Sequence, residues 1–292
     1  MKGCSKRLGN QGLPRILFQG LVRSALEEDL GNGDVTTWCC IDSGQKGQGR
    51  IIAKEDGVLA GLFVAKEAFR QVDEGLALRG GVSEGSRFQK GEVLLEIQGA
   101  TSSILMAERV ALNFLQRLCG IATATSSYVS EISGYPCTIV DTRKTTPGLR
   151  LLEKYAVRMG GGHNHRFNLS DGILIKDNHI AACGSVAEAI ERARNRAPHT
   201  LKIEVEVSTL RELEDAISAG ADIVMLDNMS LSDIKDAVSL ARRLNSRVIL
   251  EVSGGVTLEN VRDVAATGVD IISSGALTHS YKSIDLSLEL TV

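Results

Sequence analysis

The sequence predicts an α/β protein, a parallel α/β barrel preceded by a smaller α+β domain. From about residue 135 onward, short Val- and Ile-rich strands alternate with amphipathic helices. Before that point strands cluster without such alternation. Nearly every strand of the second part also ends on polar or charged residues, as the loops of a barrel's active face do. Regular strand–helix alternation builds a parallel sheet with crossover helices, and six or seven units close most naturally into a barrel.

The first third reads as follows. A helical pattern covers residues 14–28 and is broken by Gly31-Asn32-Gly33-Asp34. Strands at 49–54 and 58–61 flank Glu55-Asp56-Gly57, which reads as a hairpin because Asp-Gly tolerates positive φ. Residues 63–72 read as a helix and 91–98 as a strand. A long helix spans 102–128, with Ile104, Leu105, Leu112, Leu115 and Leu118 as its apolar face. Arg109, Asn113 and Gln116 form a polar strip on the same helix, and spacing alone leaves an ordinary solvated face equally open.

The barrel strands read at 137–141, 172–176, 201–207, 222–227, 247–252 and 269–273. Helices read at 149–159, 186–197, 210–219, 231–244 and 258–267. Ser185-x-x-Glu188 and Thr209-x-x-Glu212 are capping boxes that start two helices, while Gly220 and Gly268 stop two others.

Composition narrows the function. The chain has 292 residues, a net charge of −3 and 4 % aromatic residues, so neither a basic surface nor a stacking platform for nucleic acid is expected. No apolar run reaches the length of about 18 residues that spans a bilayer. Residues 1–12 carry Lys2, Lys6 and Arg7 without an apolar stretch behind them, which reads as a disordered start rather than a secretory signal. Cysteines at 4, 39, 40, 119, 137 and 183 form no C-x-x-C pair, a pattern that suits a reducing cytoplasm and makes a cysteine metal site unexpected.

Against that near-neutral background, Arg143, Lys144, His165, Arg166 and Lys176 gather between Asp141 and Asn178 around strand ends. Desolvating so much positive charge costs several kcal/mol per ion, roughly, unless it is paired, so the expected ligand is a polyanion with carboxylates or phosphates. The last two strands run into Ser253-Gly254-Gly255 and Ser273-Ser274-Gly275-Ala276, loops with the makeup of a phosphate cup, helped by a helix expected to begin near Val256. The same loops also fit ordinary turns.

Glu206 and Asp227 come from neighbouring strands, and two carboxylates beside a polyanion call for a divalent cation such as Mg²⁺ between them. A structural ion pair to Lys176 or Lys202 is the alternative. Glu204 shares a strand face with Glu206, and Glu206 is preferred because it lies nearer the strand's end. His163-Asn164-His165 has the spacing of a metal pair, but Arg166 follows directly and repels a cation, which favours an anion clamp by His165 and Arg166.

Seven segments, in order along nearly the whole chain, resemble the quinolinate phosphoribosyltransferase family: Glu28-Asp29-Leu30-Gly31-x-Gly33-Asp34-x-Thr36-Thr37, Glu108-Arg109-x-Ala111-Leu112-Asn113-Phe114, the ten-residue block Asp141 to Arg150, Gly160-Gly161-Gly162-x-Asn164-His165-Arg166, Ile175-Lys176-Asp177-Asn178-His179, Leu226-Asp227-Asn228 and Ser253-Gly254-Gly255. The resemblance implies an incomplete parallel α/β barrel over 116–279 and a smaller N-terminal α+β sandwich domain over 1–115, with the tail 280–292 packing back on it. It implies transfer of phosphoribose from phosphoribosyl pyrophosphate to quinolinate with decarboxylation, giving nicotinate mononucleotide for NAD synthesis.

By the family pattern, Arg109, Arg143, His165, Arg166 and Lys176 hold the substrate carboxylates, and Lys144 belongs with the phosphoribosyl donor. Glu206 and Asp227 belong with ribose hydroxyls and Mg²⁺, and Ser253, Gly254, Gly255, Ser274, Gly275 and His279 with the 5-phosphate. Lys144, Lys176, Glu206 and Asp227 are the expected catalytic set. The family also implies a homodimer, or a higher oligomer, in which Arg109 reaches the neighbour's barrel. Cys119 stands where serine is expected in many relatives. Two other readings compete: the paralogue linked to molybdenum transport, and a non-catalytic anion-binding barrel that leaves Glu206 and Asp227 unexplained.

Overall fold

The computed structural model describes residues 12–292. The disordered start read for residues 1–12 falls, up to residue 11, outside the described residues, as does Cys4. The chain divides into two compact units. One comprises the residues up to Ser126 together with 146–161 and 281–292. The other comprises 127–145 and 162–280.

The first unit is built on a four-stranded antiparallel sheet. Its strands are β1 (Lys46–Ala53), β3 (Ala77–Gly80), β5 (Val93–Ala100) and β12 (Leu286–Thr291), in the order β12-β1-β5-β3; a separate short pair joins β2 (Gly57–Val58) to β4 (Arg87–Phe88). The expected hairpin across Glu55-Asp56-Gly57 does not form. Both edges of β1 are already taken, with Arg50 opposite Glu96 on one side and Glu289 on the other, so β2 pairs with β4 instead. Gly57 serves close approach rather than a turn, since a Cβ there would lie 2.6 Å from the Phe88 ring.

Helices pack against this sheet. Leu62–Val72 starts on the Glu84 carboxylate, which accepts from the Gly61 and Leu62 N–H groups at 2.8 and 2.7 Å. The long helix Thr101–Glu131 buries Ile104, Leu112, Leu115 and Leu118, and Ile104 lies directly over Gly49 of β1. The helix Arg150–Met159 also belongs to this unit. Its Tyr155 stacks edge-on against Phe63 at 5.0 Å, and its fully buried Glu153 pairs with Arg117. Alternation alone placed it among the barrel's crossover helices. Further differences are local: residues 14–28 divide into a short 3₁₀ turn, Arg15–Leu17, and a helix, Gln19–Leu30, after which Asp34 caps an additional helix, Val35–Cys40.

The second unit is a six-stranded parallel sheet: β6 (Thr138–Val140), β7 (Ile173–Ile175), β8 (Ile203–Val207), β9 (Ile223–Asp227), β10 (Ile249–Ser253) and β11 (Ile271–Ser273), in the order β6-β11-β10-β9-β8-β7. All six expected strands are present. Crossover helices follow, and Ser185, Thr209 and Ser230 each accept a hydrogen bond from the N–H three residues on. Gly220 and Gly268 have φ of +82° and +92°, as helix-ending glycines should. The last crossover helix is shorter than expected, Val261–Ala265 rather than 258–267, and it does not begin near Val256.

A flat sheet of six strands is about 24 Å wide. Residues from both of its edges nevertheless line one cavity of about 600 Å³, so the sheet curls. β6 and β7 stay unpaired with each other, which makes this an incomplete barrel.

Candidate active site

The cavity opens where the parallel strands end at their C-termini, the face on which an α/β barrel collects its functional loops. Every site residue read from the sequence lines it except Arg109, which is exposed on the helix Thr101–Glu131 of the first unit.

The cationic side is assembled from three loops. β6 runs into Thr142, Arg143 and Lys144. The Lys144 backbone is held at both ends, its N–H donating to Thr142 Oγ1 at 3.0 Å and its carbonyl accepting from Thr278 Oγ1 at 2.8 Å. Its stem lies over Gly275, where a Cβ would meet Lys144 Cδ and His279 Nε2 at 3.0 Å each. Glycine is therefore needed there for space.

His165 and Arg166 reach the site because residues 163–165 run beside the end of β6. His163 bridges to Val140, and the buried Asp141 carboxylate accepts from the Asn164 amide and from the His165 N–H. Arg166 Nη1 donates to the Gly172 carbonyl at 3.0 Å. Burial first, then the nearby Arg143 guanidinium, lowers the Arg166 pKa, while Glu204 pulls it back. Lys176, at the end of β7, donates from Nζ to Glu206 of β8. The ion pair considered as the structural alternative for Glu206 is thus formed, within the cavity itself.

Asp227 ends β9, and its carboxylate accepts from the Asn228 amide at 2.7 Å. Asn228 takes a left-handed backbone, φ +53°, and its side chain packs against Gly254, where a Cβ would fall 2.2 Å from Asn228 Oδ1. Gly254 itself has φ +90°. Ser253, Gly254 and Gly255 on one strand end and Ser274, Gly275 and His279 on the next thus form a backbone-lined floor. The Ser274 hydroxyl donates to the Val256 carbonyl at 3.3 Å, which ties the two turns together.

Sequence reading missed one group at the base of this cavity. Glu251, in the middle of β10, is 2 % exposed and lines the wall. With Glu204 of β8 it converges on His165: Nε2 lies 3.1 Å from Glu204 and 3.6 Å from Glu251. His165 Nδ1 accepts from the Arg166 N–H at 2.7 Å, which leaves the ring hydrogen on Nε2, facing the carboxylates. Both ring nitrogens are therefore engaged within the protein, while His165 and Arg166 both line the cavity.

Burial, then repulsion from Glu204, pushes the Glu251 pKa up to about 7, against the pull of His165 and a hydrogen bond from Ser273. The His165, Glu204 and Glu251 donor atoms lie within 4.8 Å of one another, which is also the spacing of a cation site. The guanidinium groups of Arg143 and Arg166 alongside repel a dication. The available signal was a carboxylate inside an otherwise apolar strand, Val248-Ile249-Leu250-Glu251-Val252.

An incomplete parallel barrel with a cationic wall, a carboxylate pair and glycine turns in one cavity defines a barrel protein built to hold a phosphorylated, polyanionic ligand. The quinolinate phosphoribosyl transferase N-terminal domain matches residues 34–119, and the C-terminal domain of the same family matches 121–289. The probable nicotinate-nucleotide pyrophosphorylase (carboxylating) of Bacillus subtilis (strain 168) is 47 % identical over 277 residues, covering 95 % of this chain and 94 % of that protein. A quinolinate phosphoribosyltransferase (decarboxylating) of Nicotiana tabacum is 40 % identical over 296 residues, covering 95 % and 83 %. The crystal structure of NadC from Streptococcus pyogenes superposes with a TM-score of 0.92 at 45 % identity, covering 96 % of this chain and 99 % of that one. The chain belongs to the quinolinate phosphoribosyltransferase family.

Proposed function

We propose that this chain transfers phosphoribose from phosphoribosyl pyrophosphate to the ring nitrogen of quinolinate and decarboxylates the product, yielding nicotinate mononucleotide, pyrophosphate and CO₂ for NAD synthesis. The observation that carries this reading is the single cavity in which Arg143, Arg166 and Lys176 meet Glu206, Asp227 and the two glycine turns. Relatives bearing the names quinolinate phosphoribosyltransferase and nicotinate-nucleotide pyrophosphorylase support it.

Arginine forks match carboxylates bidentately, so Arg143 and Arg166 fix the two acid groups of the pyridine. Holding the ring nitrogen in line with ribose C1 turns a bimolecular attack into an oriented one. Lys144, clamped by Thr142 and Thr278, meets the donor's phosphates. The turns at Ser253–Gly255 and Ser274–Gly275, with His279, cradle the 5-phosphate.

Glu206 and Asp227 offer the oxygen donors that Mg²⁺ prefers, and Asn228 fixes the orientation of the second. When bound there, Mg²⁺ supplies charge neutralisation for the pyrophosphate oxygens. Lys176 and Glu206 screen each other, so each is available to an incoming group of opposite charge only as their pair opens.

Arg109 of the partner subunit completes the carboxylate site in a homodimer, which explains an arginine exposed on a helix that otherwise buries its apolar face. We place the enzyme in a reducing cytoplasm, a reading supported by the free thiols of Cys39, Cys40, Cys119, Cys137 and Cys183. Among the described residues no helix is long and apolar enough to cross a membrane.

The test is an assay with carboxyl-labelled quinolinate, phosphoribosyl pyrophosphate and Mg²⁺. Coupled release of CO₂ and pyrophosphate is expected, and a mononucleotide must appear in equal amount. Binding without release of either product would return the chain to the anion-binding alternative.

A further inference from the structure

Decarboxylation leaves an electron pair on the ring carbon next to the alkylated nitrogen, and that carbon must acquire a proton. The lysines at the cavity already have partners, since Lys176 Nζ is hydrogen-bonded to Glu206 and Lys144 is assigned to the donor phosphates. A different group has the properties of an acid. Glu204 and Glu251, both buried, converge on one imidazole, and two carboxylates so close cannot both ionise cheaply. One proton beyond that on His165 Nε2 is therefore retained by the cluster. Glu204 takes the shorter contact with Nε2, whereas Glu251 Oε1 is buried without a hydrogen-bond partner. Glu251 also lines the cavity together with Arg143 and Arg166, the two arginines proposed above to hold the substrate carboxylates.

We propose that Glu251 is the general acid that protonates the pyridine carbon after CO₂ leaves, with Glu204 and His165 as the positioning residues that keep it protonated. This rests on the reaction proposed above. The bond from the ring carbon to the carboxylate breaks, CO₂ departs, and the electron pair stays on the ring carbon. That pair takes the Glu251 proton to form a C–H bond, and water re-protonates the carboxylate. The charged and titratable groups acting on Glu251 are Glu204 on β8, His165 and Asp141 after β6, with the Ser273 hydroxyl on β11, and Arg143 and Arg166 line the same cavity. A carboxylic acid titrating near 7 is matched to its task, because a general acid works best with a pKa close to the operating pH.

Rapid-quench single turnovers of wild type and Glu251→Gln with quinolinate, phosphoribosyl pyrophosphate and Mg²⁺ test this. Pyrophosphate release in the first turnover should survive within about threefold, with product mononucleotide slowed on the order of a hundredfold and the product-forming step no longer weakening above neutral pH. Product formed at the wild-type rate, or pyrophosphate and product slowed equally with the pH limb intact, overturns the assignment. In the unmodified enzyme the product-forming step must slow as pH rises through neutrality and must show a solvent deuterium effect. A pH-independent step overturns the proposal even if the variant fails to fold. A wild type that releases neither pyrophosphate nor CO₂ overturns the reaction itself, and the acid with it.

Discussion

Lys176 and Glu206 stand side by side at the ends of neighbouring parallel strands, the lysine ammonium donating to the glutamate carboxylate. The pair joins the two halves of the proposed chemistry, since one member is assigned to quinolinate and the other to Mg²⁺ and the donor. Each binding event must loosen the same contact. The lysine is 46 % exposed and its partner 16 %, so the pair is weak enough to open.

Glu206→Gln separates the two roles. Mg²⁺-dependent binding of phosphoribosyl pyrophosphate should weaken roughly tenfold or more, about 1.4 kcal/mol per tenfold. Quinolinate binding should hold or tighten slightly, because Lys176 is released. Isothermal titration of each substrate in turn checks this, and an equal loss of both would remove Glu206 from the metal role.

Shared sites make a quantitative prediction for mixed dimers. Arg109→Ala and Lys176→Ala should each be nearly inactive alone. Equal mixing gives about half heterodimers, each with one intact site of two, so about a quarter of wild-type activity should return. With subunit exchange verified by a tag, no recovery would show that Arg109 acts within its own chain.

The glycine floor predicts unequal neighbours. Gly254→Ala introduces a Cβ at φ +90° and 2.2 Å from the Asn228 amide, combining backbone strain of about 1–3 kcal/mol with a displaced Asn228. The KM for phosphoribosyl pyrophosphate should rise at least tenfold, with a lower Tm. Gly255→Ala, at φ +63° with nothing within 4 Å, should be milder on both counts. Equal effects would mean that packing on Asn228 does not set the loop.

Glu251 gives a stability prediction with a defined sign. Its folded pKa is raised from 4.5 to about 7, so the native state holds this proton more tightly than the unfolded chain. The stabilisation is fully present below about 4.5 and is lost as pH rises through about 7. The stability of Glu251→Gln relative to wild type should therefore increase over that window, by no more than about 3 kcal/mol. Urea melts at pH 5 and pH 8 measure it, and a difference independent of pH would show that the glutamate is not held protonated.

Local chemistry made much of this architecture legible. Ser185 and Thr209 cap their helices as their spacing requires, and all six barrel strands lie within the segments where Val and Ile cluster. The loop residues at strand ends were readable as a site because a parallel barrel sends every such end to one face. The hairpin at Asp56-Gly57 failed for a non-local reason: β5 and β12, distant in sequence, claim both edges of β1. The helix Arg150–Met159 forms where it was read, but its place in the first unit was not legible, since strand–helix alternation says nothing about which sheet a helix covers.

Residue types and their order fixed the fold class and the family and pointed to a polyanionic ligand, because each depends on short-range pattern and on motifs read along the chain. Tertiary structure alone decided that Lys176 meets Glu206 and that His165 turns both nitrogens inward. It also decided that Glu251 closes on Glu204 from a strand two places away across the barrel. The physical reason is that a carboxylate's acidity is set by burial and by neighbouring charge, and both come into being only when strands remote in sequence curl around one cavity.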